Sequence, residues 1–136
     1  MIDLFLDTTV LALAAGGDDP RRDACIRVLA AARDGRARLH VSTETVQELV
    51  SHRLRRRDAD ALALGRELAR LCVLHPFDAD VLDEALGLME RGPVRGRDAV
   101  HAATALRAGF DTIVSTDDDF DGVAGLRRTD PGDVSL

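Results

Sequence analysis

Residues 2–15 read IDLFLDTTVLALAA, and this stretch contains the pattern that decides the fold. Residues 2–6 form a short, mostly apolar run, which predicts a buried strand that ends at Asp7. Residues 8–15 follow at once with helical character, and Asp7 or Thr8 is the expected N-cap. A strand that passes directly into a helix is typical of an α/β unit.

The same alternation continues along the rest of the chain. Further strands are expected around residues 39–41, 71–74 and 112–115. Helices are expected at 24–33, 45–54, 59–69, 78–89 and 98–108. We therefore predict an α/β three-layer sandwich, with a central parallel sheet of four to five strands flanked by helices, as one domain spanning residues 1–136.

The composition excludes several classes of protein. All 18 basic residues are arginine, so mechanisms that need a lysine amine, such as Schiff-base catalysis or the Walker A phosphate loop, are excluded. The chain has four Phe and no Tyr or Trp, which disfavours aromatic platforms for single-stranded bases. The net charge of −6 at first argues against a protein that binds phosphate backbones.

Cysteine usage and the N-terminal segment indicate where the protein resides. Cys25 and Cys72 form neither a CxxC pair nor a zinc spacing, and are expected to be buried thiols in a reducing compartment. The first apolar run carries Asp3 and Asp7 and is too short to span a bilayer. We expect a cytoplasmic protein with no membrane partner.

Four acidic residues stand at or beside the ends of predicted elements. Asp7 and Asp117 come just after strands, where open α/β sheets bind their ligands. Asp98 opens the helix 98–108, and Glu48 lies on the polar face of the helix 45–54. Ordinary structural roles remain open for three of them, because Asp7 and Asp98 suit N-caps and Glu48 suits a solvated face.

A denser acidic run, DDDFDG, occupies residues 117–122. Carboxylates packed this closely repel each other unless a positive charge lies among them, and a divalent cation is the obvious candidate. The spacing also matches the first half of a calcium-binding EF-hand loop. The twelfth position of that loop requires a bidentate carboxylate and here is Arg128, so the EF-hand interpretation fails.

Four segments in order give the chain a resemblance to a known family. They are FLDT at 5–8, VQEL at 46–49, RDAVHAATAL at 97–106 and STDDDF at 115–120. Together they resemble the PIN-domain ribonucleases. The shortness of the chain makes it similar to the VapC-type toxins of type II toxin–antitoxin pairs within that family.

The resemblance implies a Mg²⁺- or Mn²⁺-dependent endoribonuclease that hydrolyses phosphodiester bonds in a structured RNA, either tRNA or rRNA. The residues that match the catalytic, metal-binding acidic quartet are Asp7, Glu48, Asp98 and Asp117, with Asp119 as a further metal ligand. Residues assigned to substrate binding are Thr116, Arg95, Arg97 and His101. For His101, packing or support of the site is the alternative to contact with RNA.

The resemblance also implies two partners, a cognate VapB-type antitoxin and a second copy of the chain in a homodimer. Arginines at 53 and 55–57 could bind RNA phosphates, meet an acidic antitoxin segment or form a solvated helix end. A non-catalytic PIN-like module that binds metal or protein is the alternative function. Because the acidic quartet would concentrate much of the negative charge in one pocket, the net charge does not exclude an RNA substrate.

Overall fold

Strands and α-helices alternate along the chain, as the sequence predicts. The computed structural model describes residues 1–136. Its strands are β1 (Ile2–Phe5), β2 (Ala37–Ser42), β3 (Cys72–His75), β4 (Thr112–Val114) and β5 (Arg127–Thr129). Its α-helices are α1 (Thr8–Ala14), α2 (Arg22–Arg33), α3 (Thr43–Arg55), α4 (Ala61–Leu71), α5 (Ala79–Arg91) and α6 (Gly96–Arg107). None of these helices has the length and apolar character that a membrane crossing requires.

All strand pairs are parallel. β1 pairs with β2 and β2 with β3, while β4 and β5 form a separate two-stranded sheet. A single parallel bridge between Leu6 and Val114 connects the two sheets. The strands therefore follow the spatial order β3-β2-β1-β4-β5, and the segments that follow β1 and β4 emerge side by side.

Each face of the sheet covers its own hydrophobic core. Because side chains alternate along a strand, Leu39 and Val41 point to one face and pack with residues of α1 to α4. Phe5 and Ile113 point to the other face and pack with residues of α5 and α6. Helices on both faces of a parallel sheet make three layers, which confirms the predicted fold class.

The boundaries differ from the predicted ones at two functionally relevant places. Helix α6 begins at Gly96, two residues earlier than predicted, so Asp98 lies inside its first turn. Strand β5 was not assigned from the sequence, because Arg-Arg-Thr has no apolar residue to suggest a buried strand. Its hydrogen bonds to β4 nevertheless hold the segment that leads into Asp117.

Candidate metal-binding active site

Helix α6 is the most buried helix of the protein and presents Asp98 at its N-terminal end. Residues 99–105 are all buried, and the four alanines among them let the helix pack closely against both the sheet and its neighbours. The N-cap is Arg95, whose side chain makes no capping hydrogen bond. The N-cap alternative for Asp98 is therefore wrong.

Asp98 lies close to two carboxylates from the segment after β4. One oxygen from each of Asp98, Asp117 and Asp119 lies within 4.8 Å of the others, and we call these residues the three-carboxylate group. Opposite ligands of an octahedral Mg²⁺ are about 4.2 Å apart, given Mg–O distances near 2.1 Å. An oxygen-only donor set of this size fits a hard divalent cation with small side-chain adjustments.

The electrostatics of the group are unfavourable without a cation. The pKa of Asp98 is raised from 3.8 to about 6, chiefly by burial and then by the negative charges of Asp7, Asp117 and Asp119. Asp7 therefore lies close enough to Asp98 to repel its negative charge. A bound cation would reverse the effect, because positive charge favours the ionised carboxylates.

Asp7 is buried and serves as both an N-cap and a neighbour of Asp98. It caps α1, and its Oδ2 accepts hydrogen bonds from the backbone N–H and the hydroxyl of Thr9 and from the hydroxyl of Ser115. All of these bonds reach Oδ2, so Oδ1 remains available for another ligand. Asp7 can therefore cap α1 through Oδ2 and still offer Oδ1 to a cation.

Ser115 is the residue of this site that the sequence analysis missed. Its buried hydroxyl donates to Asp7 Oδ2 at 2.8 Å and accepts from the Asp117 backbone N–H at 2.9 Å. It therefore ties together the segments that follow β1 and β4. The neighbouring Thr116 is half-buried, and its backbone N–H donates to the Thr9 hydroxyl. The available signal was a small hydroxyl residue at the end of a strand, two residues before an acidic turn.

Glu48 lies outside the three-carboxylate group and has its own network. Its Oε1 accepts from the Thr8 hydroxyl at 3.2 Å and lies 3.3 Å from His101 Nε2. The hydrogen bond with His101 is the main reason that the Glu48 pKa lies below its usual value. Glu48 is thus held half-buried and ionised, and the solvated-face interpretation is wrong for it.

His101 is buried beneath this network, with 1% of the residue exposed. Its Nε2 lies 3.3 Å from the Thr8 hydroxyl, and its Nδ1 lies 3.5 Å from that of Thr45. A residue enclosed in this way has no surface to offer a substrate. This burial favours support of the site, which the sequence analysis gave as the alternative to contact with RNA.

The arginines divide into free and structurally engaged groups. Arg97 is exposed and its positive charge contributes to the lowered Glu48 pKa, so it lies near the acidic residues. Arg95 Nη1 lies 2.9–3.1 Å from the carbonyl oxygens of Met89, Gly92 and Val94, at the end of α5 and just beyond it. Arg95 also lines a cleft of about 320 Å³ with Asp98 and Asp119. Arg53 is engaged with Asp58 and the Ala15 carbonyl.

Arg128 offsets part of the acidic run. It binds Asp121 at 2.9 Å and donates to the Ser115 carbonyl. The expected positive charge among the acidic residues is therefore present at one end of the run. The three-carboxylate group at the other end has no arginine bound to it in this way.

The raised Asp98 pKa predicts how stability depends on pH. Since the Asp98 pKa in the folded chain, about 6, exceeds the usual aspartate value of 3.8, folding of the metal-free chain becomes less favourable as the pH rises from about 4 to about 6. With a chelator present, Asp98→Asn should raise the free energy of unfolding at pH 7 by about 1 kcal/mol, allowing for solvent screening of a half-exposed group. Denaturant unfolding between pH 4 and 7 measures this, and the gain should vanish near pH 4.

A matched control is Asp83→Asn on the exposed side of α5. It removes the same charge away from the group and should leave the stability curve parallel to that of the parent. A gain from Asp98→Asn that is independent of pH would contradict the electrostatic explanation.

Comparisons with known proteins agree with this architecture. The family model described as "PIN domain" matches residues 4–126. Ribonuclease VapC7 of Mycobacterium tuberculosis is 39% identical, with 98% of this chain and 97% of that protein aligned.

Two solved structures share the fold. One is VapBC2 from Rickettsia felis bound to a DNA fragment from its promoter, with a TM-score of 0.72 and 17% identity over 96% of this chain and 98% of that chain. Another is Mycobacterium tuberculosis VapC20, a sarcin–ricin loop cleaving toxin, with a TM-score of 0.71 and 20% identity over 93% of this chain and 99% of that chain.

Proposed function

This chain belongs to the PIN-domain family as a VapC-type member, and on that premise we propose that it is the toxin of a toxin–antitoxin pair and hydrolyses phosphodiester bonds in structured RNA with Mg²⁺ or Mn²⁺. The observation that carries the proposal is the three-carboxylate group, with the buried Asp7 beside it. A tRNA or an rRNA loop is the proposed substrate. We take residues 1–136 as one PIN domain.

The residues that would hold the cation are Asp98, Asp117 and Asp119, with Asp7 Oδ1 as a further oxygen. Glu48, which the resemblance also implies as a metal ligand, lies outside this group, and we propose that it acts beside the ion. When bound, the ion supplies positive charge that offsets the charge developing on the scissile phosphate and makes a nearby water more acidic. The hard oxygen ligands favour Mg²⁺ or Mn²⁺ over softer metals.

The remaining residues position these groups and the substrate. Ser115 keeps Asp7 and Asp117 in fixed relative positions, which prevents the segments after β1 and β4 from separating. Glu48 stays ionised because His101 and Thr8 hydrogen-bond its carboxylate, and it is suited to accept a hydrogen bond from a water and orient it. The exposed guanidinium of Arg97 suits a backbone phosphate.

The position of Glu48 should depend on His101. We expect His101→Leu, which removes both ring nitrogens, to lower kcat for RNA cleavage about 10- to 100-fold. Because His101 lowers the Glu48 pKa, the acid limb of the pH–rate profile should also move to higher pH. His101→Gln retains a donor and should restore part of the rate.

The control for this series is Val100→Ala, a buried neighbour on α6 outside the network. It tests whether packing alone explains the loss. If Val100→Ala lowers kcat as much as His101→Leu, or if the acid limb stays in place, His101 does not act through Glu48.

An experiment in cells separates the proposed toxin from the alternative, a non-catalytic PIN-like binding module. Induced expression of the parent should arrest growth, and equal expression of Asp98→Asn should not. A VapB-type antitoxin encoded beside the toxin should relieve the arrest and co-purify with the chain, which is itself proposed to be a homodimer. Arrest by both variants would favour the binding module.

A further inference from the structure

A second cluster of metal-ligating side chains lies away from the acidic site, on the face of the sheet that carries Phe5. Asp3 shares this face because it lies two residues from Phe5 on β1. His40 on β2 pairs with Phe5, and His75 at the end of β3 pairs with Ser42, two residues beyond His40. The sheet register therefore places Asp3 and His75 diagonally on either side of His40, on the same face.

Both nitrogens of His40 are engaged in this cluster. Nε2 lies 2.8 Å from Asp3 Oδ1, and Nδ1 lies 2.9 Å from His75 Nε2. An ionised carboxylate only accepts hydrogen bonds, so Nε2 of a neutral His40 carries the proton. The lone pair on His40 Nδ1 is consequently directed towards His75.

Aromatic rings enclose the histidine pair. Phe110 lies 4.9 Å from the His40 ring and 5.5 Å from Phe5, and Phe5 lies 5.9 Å from the His75 ring. The His40 side chain is 12% exposed. Burial and the nearby His40 lower the pKa of His75, which favours the neutral imidazole that binds metals. In the present contact His75 Nε2–H donates to His40 Nδ1, so coordination through His75 Nε2 requires its ring proton to move to Nδ1.

We propose that His40 Nδ1 and His75 Nε2 form a binding site for a transition-metal cation that prefers imidazole, of which Zn²⁺ is the representative. Two nitrogens on a tetrahedral Zn²⁺ are about 3.4 Å apart, given Zn–N distances of 2.0–2.1 Å. The observed separation of 2.9 Å requires a displacement of about half an ångström. Water would supply the two remaining ligands, since His40 and His75 are only partly buried.

Asp3 would not bind the metal itself but would accept a hydrogen bond from His40, the residue that does. A metal-bound histidine commonly donates its other ring N–H to a carboxylate, which fixes the tautomer and makes the ligand more basic. The contact between His40 Nε2 and Asp3 has this arrangement. Arg38 also reaches Asp3, at 3.4 Å, and helps to keep its carboxylate ionised.

The two metal sites differ in their ligand chemistry. The three-carboxylate group offers only oxygen, whereas the histidine pair offers only nitrogen. Mg²⁺ should therefore prefer the three-carboxylate group and Zn²⁺ the histidine pair. Cys25 and Cys72 are buried, and their pKa values are raised to about 11, which disfavours the thiolate form that binds zinc. A metal on the histidine pair would join β2 to the edge strand β3 and stabilise the fold.

Zinc binding can be measured on the whole chain after chelator treatment, with excess Mg²⁺ added back for the acidic site. Addition of ZnCl₂ should raise the Tm of the parent by several degrees. His40→Ala and His75→Ala should abolish the rise, and Asp3→Asn should weaken Zn²⁺ binding about tenfold. His52→Ala removes an exposed histidine on α3 and should retain the full rise.

A spectroscopic arm identifies the ligands. With CuSO₄ as the probe, the electron paramagnetic resonance spectrum of the parent should show coupling to nitrogen, and that of His75→Ala should lose the coupling to a second nitrogen. If His40 and His75 only hydrogen-bond each other and bind no metal, Zn²⁺ will not change the Tm of the parent. That result, or an equal rise of Tm with ZnCl₂ in His75→Ala, overturns the proposal. RNA cleavage in Mg²⁺ should be the same in the parent and in His75→Ala, because the histidine pair is not part of the acidic site.

Discussion

Asp98→Asn should lower the rate of RNA cleavage about 10³-fold while the chain keeps its fold. Asp98 supplies one oxygen of the three-carboxylate group and is surrounded by three other acidic residues. Asparagine preserves the shape of the side chain but removes the charge that holds a cation. Loss of electrostatic stabilisation worth several kcal/mol corresponds to rate losses of this size.

Single-turnover cleavage of a labelled tRNA and a labelled rRNA fragment measures this loss. Asp83→Asn carries the same chemical change on the exposed side of α5 and should cleave at the parental rate. Circular dichroism and a denaturant curve should show that Asp98→Asn is folded and at least as stable as the parent. Parental cleavage by a folded Asp98→Asn would refute the site assignment.

Removal of divalent cations should have an effect of similar size. With a chelator in excess, cleavage should fall to the background rate, since the acidic residues would then repel the phosphate instead of offsetting its charge. Addition of Mg²⁺ or Mn²⁺ in excess over the chelator should restore the parental rate. Because the chain keeps its hydrophobic cores without the ion, the loss should be reversible.

The control is the same cycle of removal and addition followed by circular dichroism. An unchanged spectrum would show that the ion acts on the reaction and not on folding. Cleavage that continues at the parental rate in the chelator would mean that the carboxylates serve another purpose.

Much of the site was predictable because sequence position and sheet geometry are linked. Asp7 and Asp117 follow parallel strands, and such strand ends share one edge of the sheet. The structure brings the following segments together through the Ser115 hydroxyl. The predicted helix 98–108 likewise carries Asp98, now in the first turn of α6, to the same edge.

Other features depend on tertiary contacts that local patterns do not report. Glu48 is half-buried only because the Thr8 hydroxyl and the His101 ring from other helices reach its carboxylate. The His40–His75 pair arises from the register between β2 and β3, which neither strand specifies alone. The start of α6 at Gly96, two residues before the predicted start, was also not predictable locally, since glycine is a poor helix former.

Binding of Mn²⁺ to the purified chain, measured by electron paramagnetic resonance, tests the central claim most directly. The parent should bind Mn²⁺ and lose the signal of the free ion, Asp83→Asn should do the same, and Asp98→Asn should bind at least tenfold more weakly. If Asp98→Asn binds Mn²⁺ as tightly as the parent, the three-carboxylate group is not the metal site.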